Sequence, residues 1–461
     1  MRKIIGLILM LLAWGLPASA TDAAWVRRGV ALRQGRFWVE QDECSVPVKS
    51  GGRLTVRADL GAVVVVPGAT DQVRCAVRMT AFTPEEDEAR ARFARAELRV
   101  RPAGGDGVFL EFRYGDQDHP FRSLDASLYI QVPAHLDVDA ETQGGGITVE
   151  SLDGELRAVT AGGDIRTGDV TGPVRLQTAG GDITVGNIGQ RITAHTAGGS
   201  IHVGNIKGDA YLDTSGGEIV SGLVSGTVHA ETKAGDIVLR GVSGPVVVQT
   251  AGGQIQLGEC GGPVRAQTAG GSIHLDGARG RVDAETAGGS LDLLRLMSGV
   301  RAQTAAGHIL AQIAASRQTF TASTLDSSVG DLQVFLPADL PLTVKAMIDS
   351  PMGHTIASDF PLTERRESDD WGGGPLAASA ALAGGGAPLS LHTSLGSIEI
   401  RKQDAESQAR LKAYQQRFWN NWQERIKEQQ VNWDRMQKAM QQAQQRFQEA
   451  LQKAMSESDQ Q

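Results

Sequence analysis

Thr160-Ala161-Gly162-Gly163-Asp164-Ile165 returns eighteen residues later as Thr178-Ala179-Gly180-Gly181-Asp182-Ile183, and the spacing persists through ten repeats. The repeat threonines stand at Thr142, Thr160, Thr178, Thr196, Thr214, Thr232, Thr250, Thr268, Thr286 and Thr304. A period held without insertion or deletion means that each copy stacks on the last, because one extra residue would push every later side chain out of its column. The reading is a mainly β fold, a β-solenoid of 18-residue coils over 142–321. Coils about 4.8 Å apart make the ten repeats a rod of about 48 Å.

Aligning the repeats exposes the columns. Ile147, Ile165, Ile183, Ile201, Ile219, Ile237, Ile255, Ile273, Leu291 and Ile309 share one position, and Val149, Val185, Val203, Leu239, Leu257 and Leu275 follow two residues on. The residue between is usually polar, the mark of a strand with one buried face. Further apolar columns run through Leu152, Val170 and Ile188, through Val174, Ile192 and Val228, and through Ala158, Leu176 and Ala194. By the same alternation the threonines point inward, and their hydroxyls are expected to satisfy backbone groups where the strand turns.

Glycine sets the corners. Ala234 and Ala306 replace the first residue of the pair in two repeats, whereas the second is always glycine: Gly145, Gly163, Gly181, Gly199, Gly217, Gly235, Gly253, Gly271, Gly289 and Gly307. That contrast predicts positive φ at the second position only. A second corner lies near Gly172, Gly226, Gly244 and Gly262.

Outside the repeats the chain changes character. Arg2 and Lys3 precede an apolar run from Ile4 to Leu16 and the small residues up to Ala20, the pattern of a cleaved signal peptide over 1–20. Residues 21–141 read as a β-rich cap with one short helix from Pro84 to about Ala96. Residues 322–402 read as a C-terminal β cap holding a mobile loop near 363–388, flagged by Gly372-Gly373-Gly374 and Gly384-Gly385-Gly386. Export places the cysteines in an oxidising compartment, where Cys44 and Cys75 are expected to pair while Cys260, in an apolar column, stays a buried thiol. From 403 to 461 glycine and proline are absent, and Leu411, Tyr414, Phe418, Trp422, Ile426, Trp433, Met436, Met440, Phe447 and Leu451 recur at helical steps, with Trp419 widening the stripe. This is a long amphipathic helix of coiled-coil-like character. Tyr414, Phe418, Trp419, Trp422, Trp433 and Phe447 are its candidate partner-binding residues, with folding back onto the chain's own β-surface, self-association and contact with an envelope surface as the alternatives.

The entrance Ile130-Gln131-Val132-Pro133, the Thr-Ala-Gly-Gly-Asp-Ile repeats and the closing Thr393-Ser394-Leu395-Gly396-Ser397-Ile398 together resemble a bacterial exported family of β-strand-repeat proteins, a domain of unknown function commonly labelled adhesin. The resemblance covers about residues 35–402. It implies an envelope or cell-surface protein and specifies no activity.

The chemistry of the columns points away from catalysis. Asp164, Asp182 and Asp236 suggest a calcium ladder, but Ser200, Glu218, Gln254, Ser272, Ser290 and His308 interrupt it, leaving too few oxygen ligands. His195, His202, His229, His274 and His308 fall at outward or turn positions without a shared carboxylate and nucleophile, and read as solvated surface residues. Glu231 and Glu285 share an outward column three coils, or about 14 Å, apart, too far for paired-carboxylate glycoside hydrolysis. The net charge of −8 disfavours nucleic acid as the partner. No cofactor or metal is expected. The expectation is an exported, periplasmic or cell-surface, non-enzymatic structural or binding module whose partner is a protein or envelope component. A ligand-sensing stress or signalling component and a polysaccharide-active enzyme are the alternatives.

Overall fold

The computed structural model describes residues 24–104, 106–115, 124–366 and 374–416. The signal-peptide expectation for 1–20 and the tail positions Phe418, Trp419, Trp422, Trp433 and Phe447 lie outside the described residues.

Residue i pairs in parallel with residue i+18 in two separate stacks. In one, Ile147–Val149, Ile165–Thr167, Ile183–Val185 and their successors run to Leu291–Leu296, with the isoleucine column inward. In the other, Asp137–Thr142, Leu156–Thr160, Val174–Thr178 and their successors run to Val300–Ala306, most of them ending on a repeat threonine. These are called here the isoleucine sheet and the threonine sheet. Isolated parallel bridges from Leu152 to Val170, Ile188, Ile206 and Val224 add a narrow third row. The inward columns of all three form one continuous hydrophobic cluster, and its aliphatic members are close to fully buried.

The threonine ladder is present as expected. From Thr142 to Thr304 each hydroxyl is buried and donates to the carbonyl of a glycine in the coil before, at 2.7–2.9 Å. From Thr160 to Thr286 the hydroxyls also accept from the second glycine of their own turn, as at Gly181 N to Thr178 Oγ1, 3.3 Å. One small side chain thus satisfies a carbonyl and an amide that the turn would otherwise bury unpaired.

The glycine expectation is corrected in its cause. None of the second-position glycines from Gly145 to Gly307 has positive φ. The constraint is contact along the axis: a Cβ at any of them would stand 1.9–2.4 Å from backbone of the preceding coil, usually the equivalent glycine. At the first position Gly180, Gly252 and Gly288 would meet nothing nearer than 3.6 Å, which is why alanine is accepted there.

The stack does not begin at Thr142 or end at Thr304. Arg53–Ala58 and Ala62–Gly68 form a coil that lies between the coil of Asp137–Thr142 and Ile147–Val149 and that of Gly107–Tyr114 and Asp125–Pro133. At the far end Ala387–Leu395 and Ile398–Lys402 lie between Ser323–Val329 and Leu332–Leu336 on one side and Leu342–Ile348 and Ile356–Ser358 on the other. The first and last coils in sequence are therefore interior in space, each paired on both sides. Antiparallel strands then close three of the four sheet edges, Gln72–Ala81 and Phe37–Pro47 on the isoleucine sheet and Ala96–Ala103 and later Leu376–Leu382 and Thr363–Arg366 on the threonine sheet, while the far edge of the isoleucine sheet ends on the three-residue parallel strand Ile356–Ser358. Such closure removes the parallel template that an open coil would offer.

Of the loop expected near 363–388, Thr363–Arg366, Leu376–Leu382 and the start of Ala387–Leu395 are strand, and residues 367–373 lie outside the described residues. Leu376 and Ala378 are buried against Leu342–Ile348, and the alanine-rich run between two glycine clusters concealed that alternation. The short helix occupies Glu86–Phe93, with Ala89 and Phe93 buried. A second helix covers 405–416 of the tail, and the remainder of the long helix expected to 461 lies outside the described residues. Among the described residues no helix is long and apolar enough to cross a membrane.

Candidate functional site

The outward face of the threonine sheet carries a polar column, Glu231, Gln249, Gln267, Glu285, Gln303 and Asp326, one residue per coil in unbroken register. Beside it, the residue after each repeat threonine is alanine at Ala251, Ala269, Ala287 and Ala305. Long polar side chains next to small ones leave a shallow groove of about 640 Å³ along the axis. Gln267 Nε2 donates to Glu285 Oε2 at 3.0 Å, so neighbouring rungs share hydrogen bonds. On the second outward column Tyr211, His229 and Val247 follow one another across three coils, with Tyr211 and Val247 exposed and the Tyr211 and His229 rings 6.3 Å apart. The face offers three carboxylates and three carboxamides in one column beside an exposed aromatic, a pattern suited to recognition by many weak polar contacts.

The aspartates of the turn are structural. Asp164 Oδ1 accepts from Asp182 N at 2.9 Å, Asp182 Oδ1 from Ser200 N at 2.8 Å and Asp236 Oδ1 from Gln254 N at 2.8 Å. Each carboxylate is spent on the backbone of the next coil, where serine or glutamine can stand in its place. No cluster of three metal-ligating side chains occurs among the described residues.

The histidines require a correction. His195 does face solvent and pairs with Asp213, and His202 pairs with Glu218. His274 is only 3% exposed: it lies under the 405–416 helix, its Nε2 3.1 Å from Asp276 Oδ1 and its ring 6.0 Å from that of Tyr414. His308 does share a carboxylate and a hydroxyl, with Ser290 Oγ 2.9 Å from its Nδ1 and Asp292 Oδ1 3.4 Å from its Nε2. Column-by-column reading hid this because Ser290 and His308 belong to the turn and Asp292 to the strand. Hydrogen bonding to Asp292 raises the His308 pKa against the opposing effect of burial. At Asp292 burial pushes the carboxyl up, but hydrogen bonds from His308 and Tyr414 and the charges of His308 and His274 outweigh it and hold the group below its ordinary value.

This triad-like set lacks the other half of an acyl-transfer site. Ser290 N donates to Ser272 Oγ, Leu291 N to His308 O and Gly289 N to Thr286 Oγ1, so the amides flanking the hydroxyl are committed to the coil ladder. Oxyanion stabilisation requires donors aimed at the developing charge, and those nearest Ser290 point elsewhere. Tyr414 also occupies the carboxylate, donating to Asp292 Oδ2 at 2.7 Å. The geometry serves to dock a helix.

Of the residues singled out on the tail, Tyr414 is thus engaged with the chain's own isoleucine sheet. Leu411, its neighbour in the stripe, is buried with Leu294 and Phe335. The available signal was the apolar character of Leu294, Leu310 and Phe335, which fall in two neighbouring outward columns among the polar Asp292, Gln312 and Gln333. The Cys44 and Cys75 sulfurs lie within bonding distance where Phe37–Pro47 and Gln72–Ala81 run antiparallel, with Cα atoms 4.9 Å apart. Cys260 is buried, and that burial, with Glu259 and Asp276 nearby, pushes its thiol up to about 12.

No family model and no curated relative matches the chain. Three solved structures are similar in part. One is a provisionally named cell adhesion protein from Clostridium sporogenes, 9% identical, covering 79% of this chain and 100% of its own at a TM-score of 0.15. Another is a provisionally named adhesin from Bacteroides fragilis, 12% identical, covering 58% and 95% at 0.25. The third is a provisionally named lipid binding protein from Parabacteroides distasonis, 10% identical, covering 64% and 96% at 0.24. Likeness at this level leaves function to be argued from the chain's own geometry.

Proposed function

We propose that the chain is an exported, non-enzymatic β-solenoid that serves as a structural or binding module of the bacterial envelope, in the adhesin-like sense of its sequence resemblance. The observation that carries the reading is the threonine-sheet groove: six polar rungs in unbroken register from Glu231 to Asp326, on a scaffold whose amides are committed to coil-to-coil bonding. A periodic surface of this kind recognises an extended, repeating or multivalent partner, since each coil contributes one equivalent contact. The acidic balance and the leader pattern of Arg2 to Ala20 support an extracytoplasmic partner of protein or envelope origin over nucleic acid. The tail beyond 416 is the proposed assembly or attachment element.

The test is retention of fluorescently labelled mature protein on isolated envelopes or intact cells, against a labelled control protein of similar size and charge. Specific retention that unlabelled protein displaces is the expected result. Retention equal to the control would contradict the reading.

A further inference from the structure

The threonine-sheet groove is open along its length, and none of its polar rungs is buried. From Glu231 to Asp326 it crosses successive coils at about 4.8 Å each, a run of about 24 Å. Beside the rungs Ala251, Ala269, Ala287 and Ala305 are all exposed and form an apolar strip, one methyl per coil. A ligand lying there meets, at coil after coil, a polar group able to bond a hydroxyl and a methyl able to cover a C–H face. Charge is close to balanced. The carboxylates of Glu231, Glu285 and Asp326 stand with Lys233 in the groove, while Arg265 and Arg301 flank Asp283 on the adjoining outward column. Neither sign dominates, so the face is not matched to a strongly charged ligand.

Spacing discriminates among extended polymers. A β-strand peptide lying along the axis returns a side chain to one face every two residues, about 6.6–6.8 Å, and so slips about 2 Å against the coil rise at the first rung. A polyproline helix, at about 9.3 Å per turn, meets only alternate rungs. In an equatorially linked glycan one pyranose ring with its bridging oxygen advances the chain by close to one coil rise, so each sugar meets its own rung. Successive sugars of a β-1,4 chain turn over, and the column answers with acceptor-only carboxylates at Glu231, Glu285 and Asp326 and with carboxamides that also donate at Gln249, Gln267 and Gln303. Tyr211 is exposed on the adjoining column one coil before Glu231, where its ring offers a stacking face to a terminal sugar. We infer that the groove binds a neutral β-1,4-linked glycan, one sugar per coil. The inference rests on the reading of this groove as the binding face and gives that face a ligand class.

The test is titration calorimetry of full-length mature protein with cello-oligosaccharides and with β-1,4 oligomers of N-acetylglucosamine, from disaccharide to hexasaccharide. Affinity in one series should rise about fivefold with each sugar added, the equivalent of one net hydrogen bond per rung. Gln267→Ala with Gln303→Ala, in protein whose circular dichroism matches the parent, should weaken hexasaccharide binding at least about tenfold. No binding of either hexasaccharide, an affinity that stops rising at the disaccharide, or tighter binding of decaproline would overturn the inference. Envelope retention that persists at a saturating hexasaccharide concentration would also overturn the glycan assignment while leaving the binding face in place. Hexasaccharide binding without envelope retention would support the assignment and fault the envelope reading instead.

Discussion

Gly181→Ala is expected to destabilise the protein strongly, while Gly180→Ala, one residue earlier, is expected to leave it unchanged or slightly more stable. A Cβ on Gly181 would lie 2.3 Å from Gly163 O, whereas a Cβ on Gly180 would meet nothing closer than Gly162 O at 3.6 Å. Ordinary contact needs more than an additional ångström, and only separation of the two coils provides it. That separation disturbs three bonds: Thr178 Oγ1 to Gly163 O at 2.8 Å, Asp182 N to Asp164 Oδ1 at 2.9 Å and Ile165 N to Asp182 O at 2.9 Å. At about 1 kcal/mol net for each, the cost is about 3 kcal/mol. Gly180 has no positive φ, so alanine there gains about 0.4–1 kcal/mol from restricting the unfolded chain. Urea midpoints of the two variants, read by circular dichroism against the parent, separate the effects. Equal midpoints would refute the argument that axial contact fixes the second glycine.

Thr196→Val keeps shape and removes the hydroxyl that donates to Gly181 O and accepts from Gly199 N; a loss of about 1–3 kcal/mol is expected, against under about 0.5 for outward Thr193→Val, both measured by urea midpoint. Thiol counting should find no native reactivity at pH 8 in oxidised protein and one thiol after unfolding, since Cys260 is buried with its thiol pushed up to about 12. Two or more reactive thiols in the native state would show that Cys44 and Cys75 are unpaired. His392 sits between Asp326 and Asp349, and although burial opposes its protonation, the two carboxylates raise its pKa overall. Its stabilising contribution is full below the ordinary histidine value and falls as pH rises through the raised one. Thermal stability of the parent should therefore drop relative to His392→Gln between about pH 6 and 8, and parallel curves for the two would contradict this.

The coil stack was legible because an invariant period leaves one solution: a hydroxyl every eighteen residues must find the same partner each time. What the period could not show was everything that departs from it. Arg53–Gly68 and Ala387–Lys402 lack the full motif, and their insertion between other coils depends on distant pairings, such as Arg53 with Asp137, 84 positions on. The second-position glycines were recognised as obligatory but assigned to the wrong cause, since contact between successive coils is invisible within one turn. His274 read as a surface residue because its cover comes from Tyr414, far along the chain. The polar groove was present in the columns as Glu231 and Glu285, and only the stacking distance turned a failed catalytic pair into two rungs of one surface.

The central claim, that this surface is the binding face, is tested most directly by charge reversal at three of its rungs. Glu231→Lys, Glu285→Lys and Asp326→Lys together, in full-length protein shown to fold by circular dichroism, should abolish specific retention on envelopes. A matched triple reversal on the opposite end of the molecule, Glu97→Lys, Asp106→Lys and Glu111→Lys, should leave it intact. Retention unchanged by the first set, or lost equally with the second, would contradict the account.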